Sequence, residues 1–125
     1  SAASDVYKRQ IVKIIKTKNF PPGTYKCINL FGVLFTKSDR LTERDINHEG
    51  IHTDQMEEML YIGFYLWYSI EFLIKLLITF NWKRTYYSIS FEQEADENER
   101  NLEYLNQRKH CAWLKKVFKL VPKKK

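Results

Sequence analysis

The feature that most constrains the fold is an apolar stretch of 22 residues, MLYIGFYLWYSIEFLIKLLITF, which begins at Met59 and ends at Phe80. It is long enough for a helix that crosses a bilayer. Its twelve Leu, Ile and Phe residues favour insertion by about 6 kcal/mol, and Glu71 and Lys75 oppose it by about 5–7 kcal/mol. Because these terms cancel, we predict a largely buried core helix, with a membrane helix as the alternative. Gly63 is where we expect it to break from the preceding helix.

Composition indicates a globular protein that is mostly helical. The chain has 125 residues, of which 44% are hydrophobic, and it contains only four Gly and three Pro. The net charge of +6 is concentrated at the two ends, which can contact anionic lipid or simply keep the protein soluble. We do not expect a nucleic-acid partner. Cys27 and Cys111 are too few for a disulfide framework, which predicts reduced thiols and a cytoplasmic location, with membrane association as the alternative.

The domain organisation follows from the two ends of the chain. Residues 1–10, SAASDVYKRQ, resemble translated sequencing-adaptor DNA, and we interpret them as a non-native or disordered leader. Residues 121–125 form a basic tail. We therefore predict a single domain over residues 11–120.

Local patterns predict an α+β fold with a small sheet. Residues 11–18 favour a strand or a short helix, and residues 25–36 favour one long strand or a hairpin. Thr42, followed by an acid three residues later, predicts a helix that runs to about Glu58. A second capping pattern at Ser90 and Gln93 predicts a last helix that continues to about residue 116.

Residues 48–52 read H-E-G-I-H, which matches the pattern H-E-x-x-H. On a helix, His48 and His52 lie one turn apart on the same face and can hold one zinc ion. Glu49 is then placed to take the proton of a metal-activated water. The alternative is a helix with two solvent-facing histidines and a glutamate.

A catalytic zinc ion needs a third protein ligand and one open position for water. Residue type alone leaves five candidates for the third ligand, namely Glu92, Glu94, Asp96, Glu99 and His110. An acid at the start of a helix, such as Glu92, is also explained by the helix dipole alone.

The order H-E-x-x-H, then an intervening helical segment, then E-x-x-A-D resembles gluzincin metallopeptidases, and the motifs are similar to those of CAAX-prenyl proteases and HtpX-type peptidases. The second motif spans Glu92 to Asp96. The resemblance implies a minimal zincin-like domain with a small sheet, a metal helix, an apolar helix and a glutamate helix. It implies Glu92 as the third zinc ligand, Asp96 as a supporting carboxylate, and hydrolysis of a peptide or protein substrate with Glu49 as general base.

The resemblance also implies that the strand at residues 27–36 pairs with an extended substrate, and the alternative is an ordinary core strand. It leaves the donor to the oxyanion open among Tyr104, Arg108 and His110. The chain is similar, over about residues 20–118, to a group of short uncharacterised bacterial proteins that share the NHE-x-IH, FYLWY and SFE-x-EA blocks. That likeness implies no activity.

Two other functions stay open at this point. One is a non-catalytic domain that zinc stabilises. The other is a basic protein that binds a membrane surface or a partner through residues 59–80 and its basic ends. The CAAX-type and HtpX-type enzymes are much larger and have several membrane helices, whereas this chain has one ambiguous apolar segment.

Overall fold

A computed structural model describes residues 13–21, 23, 26–38 and 41–122. The leader and the last three lysines of the tail lie outside the described residues. The described residues form five α-helices, a 3₁₀ helix and a three-stranded mixed sheet, which confirms the α+β fold class. Contacts divide the chain into two compact units, residues 1–54 with 98–108 and residues 55–97 with 109–125. The single domain over residues 11–120 stays a prediction.

The sheet belongs to the first unit and has the order β1-β3-β2. Strand β1 (Lys13–Lys16) is parallel to β3 (Val33–Thr36), and β2 (Cys27–Leu30) is antiparallel to β3. Phe31 and Gly32 connect β2 to β3, and both have positive φ, 56° and 88°. Two such residues make the tight turn that suits strand twist, and glycine adopts this conformation without steric cost. Residues 27–36 therefore form a hairpin and not one long strand. Residues 13–16 form a strand and not a short helix.

Helix α1 (Glu43–Glu58) carries the H-E-x-x-H motif, as predicted. Its start is a reciprocal cap: the Asp45 N–H donates to Thr42 Oγ1 at 3.1 Å, and the Thr42 N–H donates to Asp45 Oδ2 at 3.0 Å. Lys26 Nζ donates to the same Asp45 oxygen at 2.6 Å. Burial alone would raise the pKa of Asp45, but the hydrogen bonds from Lys26 and Thr42 outweigh burial and lower it.

The apolar stretch forms helix α2 (Ile62–Thr79) in the second unit. The break before it lies at Leu60 and Tyr61, which have φ of 55° and 60°, so the prediction of a break at Gly63 is wrong. The Tyr61 N–H donates to the Met56 carbonyl at 2.7 Å, a bond that closes the end of a helix. The prediction of a largely buried helix is also wrong, because only 17% of α2 is buried.

Two short helices follow α2, where the sequence predicts only an end. Asn81 caps helix α3 (Trp82–Ser88) because its side-chain oxygen accepts from the Arg84 N–H at 3.0 Å. Helix α4 (Ser90–Asn98) comes next.

The predicted capping box at Ser90 is wrong. The Ser90 N–H and hydroxyl both donate to the Glu71 carboxylate at 2.6 Å, and Gln93 Nε2 donates to the Ser88 carbonyl at 2.7 Å. The single long last helix is wrong as well. The residues that were expected to continue this helix form two separate elements, helix α5 (Tyr104–Gln107) and a 3₁₀ helix (Ala112–Lys116).

An aromatic cluster forms the core of the second unit. Its buried members are Met56, Phe64, Ile89, Phe91 and Trp113. The Phe91 ring stacks on that of Phe64 with centroids 4.4 Å apart and contacts Trp113 at 4.7 Å. Because Phe91 is fully buried against these two rings, it anchors the first turn of α4, and Glu92 is the next residue.

Candidate metal centre

The two motif histidines face each other on α1. His48 Nε2 and His52 Nε2 are 3.1 Å apart, and the rings meet edge to face. Two nitrogen ligands about 2.05 Å from a tetrahedral zinc ion lie roughly 3.3 Å apart. The observed spacing is therefore that of two ligands of one ion, and it also suits a hydrogen bond between the rings. His52 is buried, which contradicts the alternative of two solvent-facing histidines.

A carboxylate contacts the second ring nitrogen of His48, Nδ1. His48 Nδ1 lies 2.9 Å from Glu99 Oε1, and Glu99 Oε2 lies 3.2 Å from Arg44 Nε. A carboxylate at Nδ1 keeps the proton there, so that the Nε2 lone pair points at the place where a metal would bind. Glu99, a candidate ligand by residue type, thus makes the supporting contact to His48.

Asn47 fixes the position of this carboxylate. Its side-chain amide is fully buried and donates to the carbonyls of Glu99 at 2.8 Å and Asn101 at 3.1 Å. The backbone at Glu99 is therefore tied to the residue that precedes His48. Sequence reasoning did not single out Asn47, although an amide next to the motif is suited to capping a nearby chain end.

Glu92 is buried in the first turn of α4. Its Oε2 accepts a hydrogen bond from the Tyr68 hydroxyl of α2 at 2.9 Å. The helix dipole alone favours an acid that faces water. It does not explain why Glu92 is buried and hydrogen-bonded in this way. The sequence analysis did not assign Tyr68 to the site. The only pattern that set Tyr68 apart was a mildly polar stripe, formed with Tyr61 and Lys75 at seven-residue spacing.

His48, His52 and Glu92 each offer one ligand atom, and the three atoms lie within 4.8 Å of one another. The structure therefore contains a largely buried group that can hold a metal ion. Two imidazole nitrogens and one carboxylate oxygen form a donor set that zinc accepts in catalytic sites. The residues present thus fit the metal that the motif suggests.

Glu49 lies beside a partly buried thiol. Its Oε2 is 3.9 Å from Cys27 Sγ, and burial first, then the charges of Glu49 and Asp45, raises the pKa of Cys27 to about 12. The thiol therefore stays protonated at neutral pH and donates to the Glu49 carboxylate. Cys27 was expected only to be a reduced thiol, so this contact adds to the sequence analysis.

The remaining candidates have other contacts. Glu94 is buried and accepts from Gln55 Nε2 at 3.0 Å, whereas Asp96 is exposed. Arg108 pairs with Asp54 at 3.0 Å. His110 is grouped with Glu58 and Cys111 as a separate set of possible ligands, and its side chain is 80% exposed. The roles predicted for Asp96 and for an oxyanion donor stay predictions.

Comparison with known proteins finds no matching family model, no matching curated protein and no matching solved structure.

Proposed function

We propose that the chain is a zinc-dependent metallopeptidase, with His48, His52 and Glu92 as the metal ligands. The observation that carries the proposal is the grouping of these three side chains within 4.8 Å. A zinc ion held there would supply the Lewis acidity that activates water and polarises the scissile carbonyl.

Glu49 is the general base of the proposed reaction. It directly follows the ligand His48, and it is neither fully buried nor fully exposed. In this role its carboxylate takes the proton of the attacking water and passes it to the leaving amine. The neutral Cys27 thiol beside it supports this role, since a protonated neighbour does not compete for the proton.

Strand β2 supports a peptide as the substrate. It is an edge of the three-stranded sheet among the described residues, because β3 lies between β1 and β2. Asn29 Nδ2 donates to the Glu49 carbonyl and to Thr53 Oγ1, both at 2.8 Å, and so ties β2 to the metal helix. An extended peptide that pairs with this edge would run alongside α1, with its backbone amides held by β2.

The test combines zinc analysis with hydrolysis of a fluorescence-quenched peptide library. Glu49→Gln should retain zinc and lower kcat by about 10²–10⁴-fold, because it removes the base and no ligand. Glu43→Gln, at an exposed glutamate of the same helix, is the matched control and should change neither quantity. A wild-type protein that binds zinc and cleaves no peptide would overturn the peptidase and leave zinc-stabilised folding as the role of the site.

A further inference from the structure

We propose that the exposed face of helix α2 binds the surface of an anionic lipid bilayer, with its apolar side chains immersed among the acyl chains. This inference is independent of the metal site, and it rests on side chains of the second unit alone.

The polarity of α2 is the reverse of that expected for a surface helix of a water-soluble protein. Its buried positions include the charged pair Glu71 and Lys75. Its exposed positions are Ile62, Leu66, Trp67, Ser69, Ile70, Leu73, Ile74, Leu77 and Ile78. Eight of these nine are large apolar residues, each between 37% and 69% exposed. At 100° per residue they cover about half of the helix circumference along its whole length.

The one polar residue on this face is satisfied within the helix. The Ser69 hydroxyl donates to the Tyr65 carbonyl at 2.8 Å. A serine bonded back to its own helix presents little unmet polarity to a lipid environment.

The charged pair fixes which face points outward. Lys75 Nζ donates to Glu71 Oε2 at 2.7 Å and to the Ser88 carbonyl at 2.5 Å, and the same carboxylate accepts from Ser90. A buried ion pair with this many partners cannot rotate into solvent without losing them all. The apolar face is therefore held outward by specific bonds.

The C-terminal segment contacts α2 and adds further exposed apolar residues. The Trp67 ring contacts Trp113 of the 3₁₀ helix with centroids 5.2 Å apart, and Lys75 Nζ donates to the Lys119 carbonyl at 3.1 Å. Leu114, which follows Trp113 in the sequence, is 51% exposed, and Phe118 is 98% exposed. A soluble monomer rarely shows a contiguous apolar patch of more than a few hundred Å².

Charge identifies the occupant as anionic lipid. Exposed Lys115 and Lys119 alternate with the exposed Leu114 and Phe118, and exposed Lys83 follows the end of α2. A second copy would add the same positive charges to this face, whereas anionic lipid headgroups neutralise them. Phe80 and Trp82 at the helix end are exposed as well, and Trp is a residue enriched at the level of the headgroups.

Sedimentation with vesicles tests the proposal. Wild-type protein should sediment with vesicles of phosphatidylcholine and phosphatidylglycerol, and more weakly with phosphatidylcholine alone. Leu73→Glu with Leu77→Glu should reduce binding to both by at least about tenfold, since both side chains are exposed and no core contact is lost. Ile14→Glu, at an exposed apolar position of β1, is the matched control and should bind as the wild type does.

A second measurement needs no variant. Brominated phosphatidylcholine in the mixed vesicles should quench the fluorescence of the wild-type protein, because Trp67 and Trp82 are exposed on or near this face. Wild-type protein that stays in the supernatant and shows no quenching would overturn the proposal. So would a wild-type protein that binds no vesicles and is a dimer by light scattering, if the Leu73→Glu, Leu77→Glu variant is a monomer.

Discussion

Tyr68 and Glu99 each contact one candidate ligand, and neither is itself part of the proposed ligand set. Tyr68 donates to Glu92, and Glu99 accepts from His48. Contacts of this kind orient a ligand before the metal arrives, and their loss typically lowers metal affinity 10–100-fold.

Tyr68→Phe should therefore lower zinc affinity about tenfold while leaving the fold intact, because the ring still fills its place and only the hydroxyl is lost. The measurement is competition with a chromophoric chelator. Tyr87→Phe, at an exposed tyrosine of α3, is the control and should bind zinc as tightly as the wild type. Equal affinities in both variants would contradict the role of Tyr68.

The Cys27 thiol makes stability depend on pH in the alkaline range. Its pKa is about 12 in the folded protein and 9.0 in the unfolded chain, so the unfolded state loses its proton first as pH rises. The stability that the protonated Cys27 thiol contributes to the folded state is complete below pH 9 and is lost as pH rises toward 12. Urea unfolding between about pH 8 and pH 11 should show a shallower decline in Cys27→Ala than in the wild type. Parallel curves would argue against the raised pKa.

At the scale of single residues, the pair of candidate ligands could be predicted from the sequence, whereas the residues that contact them could not. His48 and His52 are four residues apart, so helical periodicity alone puts them on one face. The partners Glu99 and His48 are 51 residues apart, and Tyr68 and Glu92 are 24 apart. Nothing in local spacing predicts which distant donor reaches which acceptor.

At the scale of elements, two similar capping patterns have different outcomes. Thr42 forms its reciprocal cap with Asp45, as the sequence predicts. Ser90 has the same type of pattern, but its N–H and hydroxyl bond the buried Glu71 carboxylate instead. A charged acceptor in a buried site binds these donors more strongly than a neutral glutamine does, so tertiary structure overrides the local signal.

The Glu71–Lys75 pair should be important for the stability of the second unit. Lys75→Met removes the partner of a buried carboxylate and should lower the free energy of unfolding by about 3–5 kcal/mol. Lys83→Met, at an exposed lysine of α3, should change it by less than about 0.5 kcal/mol. Urea unfolding measures both, and equal effects would show that the pair is not a buried one.

At the scale of the whole molecule, the local sequence patterns together predict the α+β class but not the exposure of α2. The predicted core helix is wrong because length and hydropathy do not say which face of a helix packs. The charged residues of α2 point inward and most of its aliphatic residues are exposed, an arrangement that appears only once the contacts of Glu71 and Lys75 are known.

Metal binding should couple to the stability of the folded chain, because an unfolded chain offers no assembled ligand set. Zinc at 100 times its dissociation constant adds about 2.7 kcal/mol. The melting temperature should therefore rise by several degrees with zinc and fall back with a chelator. His52→Ala should show neither change. A wild-type melting temperature that is insensitive to both additions would speak against metal at this site.

The most direct test of the central claim is the cobalt(II) or zinc content of the purified chain and of three single variants. The account predicts one ion per wild-type chain, with the visible absorption of tetrahedral cobalt, and its loss in His52→Ala and in Glu92→Gln. His110→Ala should keep both the ion and the absorption. An ion that persists in His52→Ala and Glu92→Gln but is lost in His110→Ala would contradict the account and place the metal at Glu58, His110 and Cys111 instead.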